Sequence, residues 1–208
     1  MIESIVKLLT ESIVGNIISL ISVFITILTG IIAAFNYFHS IKNFSWKKVK
    51  KGVSFLKNIV EQIQPDVIIS LSGRGGIVAN LLINELSNKY PVYTCILKSK
   101  LQKDFSEPNG WEKISTSKWQ IFLYPELLKM SDKRILIIDD ISSSGETILL
   151  IREVLENNKI PSDNIFSMAL VADKDTHKNK HIPDYYWKMV NIDEYNVPWG
   201  KTVINNYK

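Results

Sequence analysis

From Ser12 to Phe38 the chain runs for 27 residues without Lys, Arg, Asp, Glu or His and is dominated by Ile, Leu, Val and Phe. A helix needs roughly 20 such residues to cross a hydrocarbon core, so a membrane span over residues 17–38 is expected, its Asn, Ser and Thr tolerated because helix and neighbours satisfy them. The apolar character runs all round this helix, unlike the single stripe of a core helix in a soluble protein. The eleven leading residues carry Glu3, Lys7 and Glu11 rather than a basic cluster, which points to an uncleaved anchor and not to a signal peptide. Val49, Val53, Leu56, Ile59, Val60 and Ile63 then recur at three-and-four spacing and predict a helix over 45–63, stopped at Pro65. Asp66–Leu71 (DVIISL) is a continuous apolar run of strand length, Ser72–Gly76 a Gly-rich turn, Ile77–Leu86 a helical pattern and Pro91–Leu97 the next strand. Strand, loop, helix, strand is the unit that builds a parallel sheet. Residues 98–119 show no sustained period and predict a mobile lid or an irregular hairpin. Arg134–Asp139 and Ile165–Ala172 predict two more strands, with a helix over Ile148–Asn157 between them and a polar, partly aromatic tail behind. The expected organisation is an anchor over 1–41, a linker helix over 42–64 and one α/β domain over 65–208.

Length and charge narrow this picture. The 208 residues suffice for one α/β domain with an appendage. The net charge of +4 comes from 25 Lys and Arg against 21 acids, with Lys42, Lys47, Lys48, Lys50 and Lys51 gathered just behind the apolar run. That clustering favours a membrane surface over nucleic acid as the partner of the basic residues. By the positive-inside rule the amino terminus lies outside and everything from about Lys42 onward lies in the cytoplasm, with Tyr37, Phe44 and Trp46 as interfacial aromatics. Cys95 is the single cysteine and reads as a reduced core residue. His39, His177 and His181 lack the further ligands that a zinc site needs.

The candidate chemistry lies in RILIIDDISSSGETI, residues 134–148. An apolar strand delivers Asp139 and Asp140 to the carboxyl end of a sheet, where open α/β sheets bind ligands. Neighbours on an extended chain point to opposite sides, so the two acids cannot act identically, and at least one can accept hydrogen bonds from vicinal hydroxyls. The following Ser142, Ser143, Ser144, Gly145, Glu146 and Thr147 supply hydroxyls and backbone N–H groups at the start of a helix, where a phosphate is favoured. A diol grip beside a phosphate grip has the shape of ribose 5-phosphate. A plain helix cap explains the serines and the glycine but not two acids where a hydrophobic strand ends.

Four apolar residues, the acid pair and the SSSGET loop together resemble the phosphoribosyl pyrophosphate (PRPP) motif of type I phosphoribosyltransferases. The resemblance covers about Asp66 to Trp199. It implies an α/β parallel-sheet fold of that family with a flexible hood, here preceded by one transmembrane helix. It further implies that Asp139 and Asp140 hold the ribose hydroxyls, that Ser142 to Thr147 hold the 5-phosphate, and that Ser72, Gly73, Arg74, Gly75 and Gly76 form the pyrophosphate loop. Lys98 and Lys100 would face the diphosphate, and residues 98–119 would form the hood. The family uses Mg2+ bound mainly through PRPP, with no direct protein ligand required. The tail resembles the hypoxanthine, xanthine and guanine branch, which makes Lys174 the contact to a purine oxygen and Tyr195 or Trp187 the stacking residue. Two departures stand out: Ser143 occupies a position where many purine members carry an acid, and Gly200 follows Trp199 where the family tends to an acid. The expected activity is phosphoribosyl transfer from PRPP to a nucleobase, purine favoured, by a membrane-anchored homo-oligomer that binds no nucleic acid. The alternative is a non-catalytic module that senses PRPP or a nucleotide and signals to its membrane helix.

Overall fold

The computed structural model describes residues 2–40, 42–99, 105–115, 119–174, 181–191 and 195–201. Residues 1–42 and 43–208 form two compact units. In the first, α1 (Ile2–Ser40) is one continuous helix, and its stretch Ile13–Ala33 is long and apolar enough to cross a membrane. Its side chains there are exposed all round, Leu20 and Phe24 among them.

β1 (Lys42–Asn43) ends on the first residue of the second unit and leads into α2 (Trp46–Ile63), capped by Ser45, whose hydroxyl accepts from the Lys48 N–H. There follow β2 (Val67–Leu71), α3 (Ser72–Glu85), β3 (Val92–Ser99), β4 (Glu112–Ser115), β5 (Trp119–Leu123), β6 (Ile135–Ser142), α4 (Glu146–Asn157), β7 (Ile165–Asp173), β8 (Tyr185–Val190), β9 (Tyr195–Val197) and β10 (Gly200–Lys201). The main sheet has the order β4-β5-β3-β2-β6-β7-β8. β3, β2, β6, β7 and β8 pair in parallel, and β5 and β4 extend the β3 edge antiparallel. A small second sheet has the order β1-β9-β10.

The pleat divides the core. Ile68, Leu136, Ile138, Met168 and Leu170 pack on one face with Val49, Val53, Leu56, Val60 of α2 and Val78, Ala79, Leu82 of α3. Ile69, Leu71, Ile135 and Ile137 pack on the other with Ile148, Ile151 and Leu155 of α4. The helix expected as a linker is therefore a structural layer: its apolar stripe is spent on the sheet, and Gly52 lets it approach so closely that a Cβ there would stand 2.6 Å from Leu170 Cδ1. The irregular stretch after β3 contains the β4–β5 hairpin, and the tail supplies three further short strands that lack the apolar run of a central strand.

Because Leu56 is fully buried between α2 and the sheet, Leu56→Ala is expected to cost about 2–5 kcal/mol. Urea denaturation followed by circular dichroism measures this, and a loss below about 1 kcal/mol would show α2 to be a dispensable linker.

Candidate active site

β6 ends on Asp139, Asp140, Ile141 and Ser142, and its pleat sorts them. Since Leu136 and Ile138 face α2 and α3 while Ile135 and Ile137 face α4, Asp140 falls on the α2/α3 side and Asp139 on the α4 side. Asp140 is buried, 5% exposed, and Asp139 is half-buried. The backbone N–H of Asp140 donates to Asp139 Oδ1 at 2.8 Å. The indole N–H of Trp199 donates to Asp140 Oδ2 at 2.8 Å. Burial pushes the Asp139 carboxyl well above the usual carboxylate range, the charge of Asp140 adds to the rise, and the Arg74 guanidinium opposes it.

The charge of Arg74 bears on Asp139 because α3 starts against the end of β6. A Cβ on Gly75 would stand 2.7 Å from the Ile138 carbonyl oxygen and 3.4 Å from Asp139 Cα, so only glycine permits this approach. Ser72–Gly76, expected as a turn, is instead the first turn of α3. The physical reason is burial: Gly75, Val78 and Ala79 lie against the sheet, which outweighs the weak helix propensity of three glycines. The first-turn N–H groups still lack intrahelical acceptors, so the donors expected of a loop are offered by a helix end.

After Ser142 the chain passes through Ser143 and Ser144 to Gly145, in the left-handed region at φ 74°, and enters α4 at Glu146. Ser144 Oγ accepts from the Glu146 N–H at 3.4 Å. Ser142 Oγ is buried and finds no partner among the described residues, a hydroxyl left over for a ligand oxygen. Ser143 and Glu146 are exposed and Thr147 half-buried. A Cβ on Gly145 would stand 1.9 Å from the His181 carbonyl oxygen, so the segment at 181–184 lies directly on this loop. Asp184 pins that segment, accepting from the Ser167 N–H at 2.7 Å, the Ser167 hydroxyl at 2.8 Å and Arg152 at 2.5 Å.

The remaining expected site residues divide. Lys98 is half-buried, with Nζ 5.0 Å from the centre of the Phe105 ring. Gly73 and Arg74 are exposed in the first turn of α3, and Lys174 is exposed immediately after β7. Trp187 packs edge-on to Phe44 at 5.7 Å and against Gly52, and Tyr195 begins β9. Lys100, His177 and the side chains of Ser72 and Tyr195 lie outside the described residues. Cys95 is buried, and burial with the charge of Asp139 pushes its thiol up, which suits an inert core residue. Two contacts escaped the motif reading: the Trp199 bond to Asp140 and the Asp184 pin. Their only sequence signals are Pro198-Trp199 and Ile182-Pro183-Asp184, a pair and a triplet without a period.

Among the described residues no three His, Cys, Asp or Glu side chains converge. The donor set beside the loop, two adjacent carboxylates on opposite faces, fits a divalent cation that takes most of its oxygens from a phosphorylated ligand.

The raised Asp139 acidity has a stability consequence. A carboxyl that holds its proton more tightly folded than unfolded carries no penalty below its unfolded value of about 3.9. The penalty grows as pH rises from there and stands in full above the raised folded value. Asp139→Asn removes it, so this variant is expected to be more stable than the parent at pH 7 and to lose the advantage near pH 4, as urea denaturation at the two pH values measures.

The phosphoribosyl transferase domain model matches residues 45–203. No curated protein matches the chain in sequence. Among solved structures, the fold is similar to purine phosphoribosyltransferase from Pyrococcus horikoshii, with a TM-score of 0.58 and 21% identity over 77% of this chain and 95% of that one. It is similar to Helicobacter pylori xanthine-guanine-hypoxanthine phosphoribosyltransferase, with a TM-score of 0.54 and 20% identity over 76% and 89%. A Neisseria gonorrhoeae protein with bound ppGpp has a TM-score of 0.54 and 17% identity over 76% and 89%. With the family model spanning α2 through β10 and including the acid pair and both candidate phosphate loops, the chain belongs to the phosphoribosyl transferase family.

Proposed function

We propose that the protein transfers a 5-phosphoribosyl group from PRPP to a purine base, releasing pyrophosphate, and that α1 anchors it in a membrane with the enzyme domain in the cytoplasm. The observation that carries this reading is the meeting of three grips at one end of the sheet: the acid pair, the Ser142–Thr147 loop and the first turn of α3 with Arg74. The serine loop and the α4 N-terminus suit a 5-phosphate, the acids suit the ribose hydroxyls, and Arg74 with the α3 N–H groups suits the diphosphate. Magnesium, when bound, neutralises the departing diphosphate. The chain's own share is to orient the ribose, to meet the charge that develops on pyrophosphate with Arg74, and to exclude water under the β4–β5 hairpin. Lys174 and Tyr195 are the proposed purine contacts, at an exocyclic oxygen and a ring face respectively.

A second reading is a module that binds PRPP or a nucleotide without turnover and signals to its helix. It is favoured by Ser143, whose hydroxyl cannot serve unaided as a general base, and by the ppGpp bound to the Neisseria relative.

The full chain in detergent with magnesium, PRPP and each purine in turn is expected to release pyrophosphate. Asp139→Asn is expected to lower kcat/KM by at least about 100-fold, and Arg74→Ala to weaken PRPP binding by about 10- to 100-fold. Binding of PRPP without turnover on any base would select the second reading. On membranes, α1 is expected to keep the protein in the pellet through an alkaline wash, and release into the supernatant would remove the anchor.

A further inference from the structure

The β9–β10 ribbon is too small to hold its own shape. β9 has three residues and β10 two, and a two-stranded ribbon is marginal in water. Three ties among the described residues help to fix it. The Phe44 N–H donates to the Asn196 carbonyl at 2.8 Å. The Trp199 ring lies 5.7 Å from that of Trp46 and packs on the α2/α3 core. The third tie is the 2.8 Å bond from the Trp199 indole to Asp140, the only one of the three that joins the ribbon to an acid of the candidate site.

We infer that Trp199 is a positioning residue: its indole fastens the ribbon that bears Tyr195 to Asp140 at the end of β6. This rests on the phosphoribosyl reading of the site proposed above. The pleat supports the tie, because Asp140 lies on the α2/α3 face where Val197 and Trp199 also pack. Burial supports it too. At 5% exposure Asp140 depends on the donors it has, and the Trp199 indole N–H donates without accepting. The ribbon also passes close over that arginine, since a Cβ on Gly200 would stand 3.3 Å from Arg74 Nη2. Moving Trp199 would therefore move the purine-stacking strand with respect to both the ribose acids and the diphosphate arginine.

The test uses the full chain in detergent with magnesium. Trp199→Phe, which keeps the ring and removes the donor, is expected to raise KM for the purine by about 10- to 100-fold, the size of a lost hydrogen bond to a charged group. PRPP affinity, read by calorimetry, is expected to stay within about twofold. Asp140→Leu is expected to raise the purine KM as well, Asp140→Asn, which keeps an acceptor, to raise it less, and the Trp199→Phe/Asp140→Leu double variant to be no worse for that KM than Asp140→Leu alone. The tie is overturned if Trp199→Phe leaves the purine KM within about twofold of the parent's. Failure of the phosphoribosyl reading is separate and visible, because the parent protein would then bind no PRPP. In that case the 15N-labelled indole N–H resonance of Trp199 still reports: a shift and loss of exchange protection in Asp140→Leu support the tie, and an unchanged resonance overturns it.

Discussion

The two-residue alternation of β6 governs the chemistry available at its end. A strand buried on both faces has no solvent side on which to place a carboxylate, so two adjacent acids must each be accommodated where the sheet opens, one toward each helical layer. Asp140 meets an indole donor on the α2/α3 side. Asp139 takes the other side with the Asp140 N–H and the nearby charge of Arg74. Any slip of register in the β2–β6 pairing, Ser70 opposite Ile138, would exchange the two environments and leave both carboxylates without their partners.

Around this strand the molecule trades stability for proximity. Gly75 and Gly145 stand where a side chain would collide with the Ile138 or His181 carbonyl, and both lower the propensity of the segments they occupy. Asp139 is held where ionisation is disfavoured. None of the three helps the fold, and all three lie where β6 meets its neighbours. Strain gathered at one end of an otherwise regular sheet is the distribution expected of a binding site supported by a rigid scaffold.

The parallel centre of the sheet was readable because Val67–Leu71, Ile135–Ile138 and Ile165–Ala172 are apolar runs broken only by Ser70 and Ser167, and α2 because its stripe keeps a helical period. What the pattern concealed was partnership. Periodicity shows that α2 has an apolar face but not that this face lies on the sheet. Glycine-rich SGRGG reads as a turn by propensity, and tertiary burial makes it helical. The acid pair and the serine loop were visible as residues, since no ordinary strand and cap explains them. The bond between Asp140 and Trp199 was not, because it joins an isolated tryptophan to a carboxylate about 60 positions earlier. Strands β8, β9 and β10 were missed for a related reason: their residues alternate weakly and owe their extended form to β7 and β1.

The pairing of Phe44 with Asn196 joins positions about 150 residues apart. Closing so long a loop has a large entropic cost, and a chain emerging from the ribosome meets that cost only after nearly all of it has been made. Until then β6, its serine loop and α4 have been synthesised, but Asp140 has no indole to accept from, and a buried carboxylate without a donor is costly. A polypeptide that stops short of Tyr195 thus carries the phosphate-gripping half of the pocket while lacking what makes that half comfortable.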